Sequence, residues 1–348
     1  MRRVACVACV LALSLRAGAE DVAAKSYALV VAGDGGEAHF SANYRDWSRR
    51  LHALLTTRCG IPSAQVAVLM EQKDALPGIA VAVSTKENVV AAVEATLARL
   101  VPGDQLLVFL IGHGHEMGTT AKLCLPGPDL SNHDLAALLA RAPTNEVVVV
   151  GGMCGSDGLL DPCSLPGRVL ITATNSATEG NEAYFMEFFI AACETSATPP
   201  GGTNGVNLLD AFNAAATACP KWYLRQYLED SKPPAWRIDG KQSRLLWQKF
   251  YGTIPEKLMK APEDPEAEDA EPQLGEWGPH WMGRRMPTEH AQLDDNGDRT
   301  GSAIFVQNRF IPLAGASTEE DGSHALRTII GQPRGDRQAP AAPLVREP

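Results

Sequence analysis

Five short apolar segments, separated by stretches at helical spacing, constrain this chain more than any other feature. They are 27–33 (YALVVAG), 65–71 (QVAVLME), 105–111 (QLLVFLI), 146–150 (EVVVV) and 168–174 (RVLITAT), and four of the five run into a turn of glycines or other small residues. A strand that is apolar on both faces must be covered on both faces, and interleaved helices supply the crossovers that parallel pairing needs. The expected fold is therefore α/β: a three-layer α/β/α sandwich around a mostly parallel sheet, over residues 25–220. One helix is expected from about Ser41 to Cys59–Gly60, with Trp47, Leu51, Leu54 and Leu55 on one face. Ser84 and Glu87 read as a capping box before Val89, Val93, Leu97 and Leu100. Further helices are expected over 134–141, 184–193 and 206–219.

With 45% hydrophobic and 21% charged residues in 348, the composition is globular and excludes collagen, coiled coil and wholesale disorder. The net charge of -10 and the lack of any Lys/Arg-rich block argue against a nucleic-acid partner. At the start, two arginines, an apolar run from Val4 to Leu15 and the small triplet Ala17-Gly18-Ala19 read as a signal peptide over 1–19. Its removal would bring the charge to -13 and send the protein out of the cytoplasm, to be secreted or periplasmic. The run is too short to span a bilayer, so no stable membrane anchor is expected. Residues 221–330 form a C-terminal extension containing an acidic segment at 262–272, and 331–348 read as a disordered tail.

In an open parallel sheet, ligands bind where the carboxyl ends of the strands converge. His113 lies two residues beyond one such strand and Cys154 four beyond the apolar run of another, so both fall on that rim. An imidazole beside a thiol can take its proton or stabilise the thiolate, which makes a nucleophile and an acid/base group. Gly114 and Gly155 let backbone amides approach a substrate carbonyl and hold a developing oxyanion, for which the amides of Gly114 and Cys154 are the candidates. Cleavage of the leader leaves six cysteines, at 59, 124, 154, 163, 193 and 219, with no CxxC; export permits disulfides, but spacing does not pair them. His113, His115 and Glu116 are metal-ligand types, but consecutive loop residues without a distant third ligand make a poor set, so no metal and no cofactor is expected. Asp294, Asn296 and Asp298 resemble the start of a calcium loop but lack its closing Glu, and read as a turn held by Asp/Asn side chains.

An apolar strand into His-Gly, then another into a small-residue turn carrying Cys, resembles the caspase-like cysteine peptidases. Within them the chain is most similar to the legumain family of asparaginyl endopeptidases. VVAG at 30–33, Asn43-Tyr44-Arg45, Gly60-Ile61-Pro62 with Gln65-Val66, and RVLITATNSATEGNEA at 168–183 carry the likeness, which covers about residues 26–195. The resemblance implies a caspase-like fold, a peptide or protein substrate, Cys154 as nucleophile, His113 as base and acid, and Asn43 orienting the histidine. It also implies Arg45 in the pocket for the residue before the scissile bond. Where the family has Glu-Ala-Cys this chain has Gly152-Met153-Cys154, which removes the pocket's Glu and with it the basis for asparagine selectivity. Two alternatives share the fold: an inactive pseudopeptidase or binding module, and a transpeptidase. The material after about residue 220 reads either as a removable prodomain, processed at 262–272, or as an extension packed on the domain.

Overall fold

The computed structural model describes residues 23–176, 179, 183–197, 199, 205–230, 289–306 and 309–335; the leader at 1–19 and the acidic segment at 262–272 lie outside them. The strands of the first half are β1 (Ser26–Ala32), β2 (Val66–Met70), β3 (Val81–Val83), β4 (Gln105–Ile111), β5 (Gly114–Met117), β6 (Thr120–Leu123), β7 (Leu130–Ser131), β8 (Glu146–Gly152) and β9 (Val169–Thr172). The helices are α1 (Ala38–Ala53), α2 (Lys86–Leu97), α3 (Asn132–Leu139), the short α4 (Leu160–Cys163), α5 (Phe185–Thr195) and α6 (Leu208–Asp230), the last preceded by β10 (Val206–Asn207). The C-terminal part adds β11 (Gln292–Asp294), β12 (Ser302–Ala303), β13 (Phe305–Val306), β14 (Arg309–Phe310), α7 (Ser323–Arg327) and β15 (Ile329–Ile330).

The central sheet has eight strands in the order β12-β11-β9-β8-β4-β1-β2-β3. The six from β9 to β3 pair in parallel, and β11 and β12 are antiparallel. All seven residues of β4 are buried, and so are all seven of β1 and of β8. Alternation divides them between two cores. Ala28, Val30, Leu107, Phe109, Val148 and Val150 join one cluster with Trp47, Leu51, Phe189 and Phe212, on the side of α1, α5 and α6. Leu29, Val31, Leu106, Val108, Val147 and Val149 join a second with Val89, Val93, Leu135 and Leu139, on the side of α2 and α3. Each large aliphatic or aromatic side chain removed from water in these layers contributes about 1.5–3 kcal/mol, which sets the register of the strands.

Helix starts differ in detail from the sequence expectation. The cap of α2 is Thr85, whose hydroxyl accepts from the Asn88 amide at 3.3 Å, and not Ser84. Ser84 still belongs to the sheet edge, donating its amide to the Met70 carbonyl at 2.8 Å, so the helix begins one residue later. A reciprocal capping box does occur on α3, between Ser131 and Asp134.

Two boundaries also move. The domain does not end at 220, because α6 runs through that position, β11 extends the central sheet beside β9, and β15 pairs with β10. Nor is the whole of 331–348 a free tail. The Gly331 amide donates to Gln105 Oε1 at 2.9 Å and the Arg334 amide to the Glu146 carboxylate at 2.8 Å, which latches the chain beneath the amino ends of β4 and β8; residues 336–348 lie outside the described part. Among the described residues no helix is long and apolar enough to cross a membrane.

Candidate active site

β4 and β8 are neighbours in parallel register, with Ile111 opposite Gly152, so the two segments that leave the rim side by side begin with Gly112-His113-Gly114 and Met153-Cys154-Gly155. Gly112, at φ 151°, turns the chain out of β4 into the β5–β6 hairpin. The hairpin packs directly on the cysteine turn. A Cβ placed on Gly114 would lie 2.4 Å from the Cys154 carbonyl oxygen, and one on Gly155 would lie 3.1 Å from Glu116 Cβ. Gly155 takes the left-handed φ of 66°, which starts the single 3-10 turn Ser156–Leu159. Ser156 then fixes that turn to the end of β9, its Oγ accepting the amides of Ala173 at 2.9 Å and Thr174 at 3.2 Å.

The His113 ring is half-buried and held on three sides. Its Nε2 lies 3.3 Å from the Gly35 carbonyl oxygen, and Phe40 and Tyr44 meet it edge-on with ring centroids at 4.5 and 5.7 Å. A carbonyl oxygen only accepts, so Nε2 carries the proton in the neutral ring and Nδ1 is the basic nitrogen. The Gly35 loop is itself pinned: its amide and the Ser41 hydroxyl both donate to Glu71, each at 3.1 Å. Phe40 and Tyr44 are one turn apart on α1, which is why both reach the ring.

Cys154 is 5% exposed, and among the described residues no disulfide joins any of Cys59, Cys124, Cys154, Cys163, Cys193 and Cys219. The buried thiols of Cys163 and Cys59 are both pushed up by desolvation, to about 12, which removes them as nucleophiles. Around the cysteine turn, burial raises the carboxyl of Glu116, and the neighbouring Asp157 raises it further. Asp157 is raised too, by its own burial, although Thr174 Oγ1 donates to it at 3.1 Å.

Of the residues named from sequence, Gly114 lies against the Cys154 carbonyl, and His113 immediately precedes it just beyond the end of β4. Asn43 and Arg45 sit on α1, both half-buried, beside the Tyr44 that touches the ring. Among the described residues Asn43 makes no hydrogen bond to His113, and the groups that orient the ring are Gly35, Phe40 and Tyr44. Arg45 has no ion-pair partner among the described residues. Gly152, where the resemblance implies a Glu, has no room for a side chain: a Cβ there would lie 2.0 Å from Met186 Cγ. The set His113, His115 and Glu116 does not converge either, because β5 alternates and sends Glu116 to the opposite face from His115.

Sequence reading missed one contributor altogether. Glu289, 3% exposed, accepts from the amide of Phe185 at 2.8 Å, from the amide of Tyr184, and from the Tyr223 hydroxyl at 2.6 Å. It thereby satisfies the first amides of α5. Burial raises its carboxyl to about 7 against those hydrogen bonds. Cys154 lies within electrostatic reach of the Tyr223 hydroxyl. The signal that could have found Glu289 is slight: one acid three residues before a short strand, about a hundred residues from the helix it caps.

No family model matches the sequence, and no curated protein does. Among solved structures, the crystal structure of protein GSU0716 from Geobacter sulfurreducens is similar over 56% of this chain and 89% of that one, with 16% identity and a TM-score of 0.37. A likeness at that level carries no argument about fold or function.

Proposed function

We propose that the protein is an exported cysteine endopeptidase of the legumain-like, caspase-fold type, with Cys154 as nucleophile and His113 as its base and acid. One observation carries the reading: β4 and β8 lie adjacent and in register, so that Gly114 rests against the Cys154 carbonyl. His113 Nδ1 takes the thiol proton, the thiolate adds to the substrate carbonyl, and the amine leaves with the proton held on the imidazolium. Water, deprotonated by the same nitrogen, then releases the acyl group.

The backbone supports an oxyanion site. The Cys124 amide bonds the His113 carbonyl at 3.0 Å, so residues 113 and 124 are a bonded pair of the ladder. The Gly114 amide, one residue on, therefore points away from β6 and is open to a substrate oxygen. The half-buried Arg45, which has no ion-pair partner among the described residues, is a cation available to a polar or acidic substrate group. Met186 in the space beside Gly152 supports a pocket unlike that of asparagine-selective relatives.

The burial of Cys154 favours one rival, a binding module on the same fold. A peptidyl electrophile that labels Cys154 selectively separates the two, because a module has no reason to present that sulfur. Turnover gives the direct test. Cys154→Ala and His113→Ala should each abolish cleavage of a denatured protein mixture while leaving the fold intact by circular dichroism. Cleavage by Cys154→Ala at the parental rate would end the proposal.

A further inference from the structure

We propose that His115, Cys124 and Asp129 form a binding site for a divalent transition metal of the zinc class, on the hairpin that follows His113. Their ligating atoms all lie within 4.8 Å of one another, and His115 Nδ1 is 3.7 Å from Cys124 Sγ. Zinc bonds of about 2.3 Å to sulfur and 2.0 Å to nitrogen, at a tetrahedral angle, put those atoms about 3.5 Å apart. The observed pair is thus within a few tenths of an ångström of coordinating distance.

The hairpin builds this arrangement from its register. His115 pairs with Lys122, so Cys124, two residues on, shares its face as a diagonal neighbour. Asp129 closes the loop that leaves β6: its Oδ1 accepts the Leu125 amide at 3.3 Å, which brings the carboxylate back over Cys124. All three side chains are half-buried, so an ion can enter from solvent and still lose much of its water.

The donor set fixes the class of metal. Thiolate with imidazole suits zinc and its neighbours, and a single carboxylate is far short of the six or more oxygens that calcium takes. Without a metal the pair is not a poised nucleophile, because burial and the carboxylates of Asp129 and Asp34 raise the Cys124 thiol. Binding replaces the thiol proton by the metal and releases that proton to solvent, so affinity rises with pH. Three protein ligands leave the fourth position to water, as in open zinc sites.

The site is separate from the Cys154 pair but joined to it, since Cys124 holds the His113 carbonyl through its backbone amide. The test is calorimetric titration of the full-length protein with zinc chloride, in the parent and in Cys154→Ala. We expect one ion per chain in both, weakened by at least about tenfold in Cys124→Ser, His115→Ala and Asp129→Asn. Iodoacetamide labelling of the parent, read by peptide mass, needs no variant: zinc should slow modification of Cys124 at least tenfold. Absence of stoichiometric binding, unprotected Cys124, or a zinc affinity unchanged by all three substitutions would overturn the proposal. Binding lost in Cys154→Ala would also overturn it, by placing the ion on the Cys154 pair.

Discussion

Gly114→Ala tests whether the hairpin and the cysteine turn meet as closely as the structure has them. The added methyl would lie 2.4 Å from the Cys154 carbonyl oxygen, 3.0 Å from the Lys122 carbonyl oxygen and 3.2 Å from Met153 Cβ. Two of these are backbone atoms, so no side chain can swing aside, and ordinary contact requires the hairpin to retreat from Cys154 by about 1 Å. Overpacking of this kind costs about 1–3 kcal/mol, and each kcal/mol lowers the melting temperature of a domain this size by about 2–4 °C. The displaced atoms include His113 and the Gly114 amide, and a misplacement of about 1 Å costs about a hundredfold in rate. The assay is kcat/KM on a peptide substrate beside thermal unfolding. Gly118→Ala is the control, since that glycine turns the same hairpin at φ 64° with nothing within 4 Å of an added Cβ. It should lose about 1 kcal/mol to backbone strain and keep its activity. Parental kcat/KM in Gly114→Ala, or equal losses in both variants, would refute the reasoning.

Two further outcomes follow from the packing near the site. Gly152→Glu should destabilise the protein by more than about 3 kcal/mol, because the new carboxylate has no space beside Met186 and no water; Met186→Ala in the same chain should restore part of that loss in a denaturant titration. Glu289, raised to about 7 when folded from an ordinary value of 4.5, binds a proton in the folded state across that interval while the unfolded chain does not. Stability therefore falls as pH rises from about 4.5 to 7, by up to about 3 kcal/mol, and is flat above. Glu289→Gln should remove that slope from melts recorded between pH 4 and 8; an unchanged slope would assign the dependence elsewhere, for instance to Asp321, which burial raises to about 6.

The central strands were legible because their signal is strong and local. QLLVFLI cannot sit anywhere but in a sheet covered on both faces, and β4 occupies those seven residues and no others. The same segments gave the rim position of His113 and Cys154, since strand ends follow directly from strands. What failed to show were contacts whose partners lie far apart in sequence. Gly35, Phe40 and Tyr44 hold the His113 ring from 69 to 78 residues away, and each is locally an ordinary turn or helix residue. The capping box at Ser84 was misplaced by one residue because the pattern says nothing of the sheet bond that keeps Ser84 extended. The hairpin β5–β6 was missed for a related reason. Its strands are short, mixed in polarity and only partly buried, so neither apolar run nor clean alternation marks them.

The C-terminal part shows how far such distant contacts decide the architecture. Read from sequence, the material after about residue 220 could equally be a prodomain or a packed extension. In the structure, releasing everything after residue 230 would strip β11 from the edge of β9, where Gln292, Leu293 and Asp294 pair with Thr172, Ile171 and Leu170. It would also remove Glu289 from the first amides of α5 and the latch of Gly331 and Arg334 from beneath β4 and β8. Buried amides left without acceptors cost about 1–3 kcal/mol each, and the exposed edge of β9 would invite pairing with another chain. Residues 289–335 therefore belong to the domain that carries Cys154, and any activating cleavage must leave them bound.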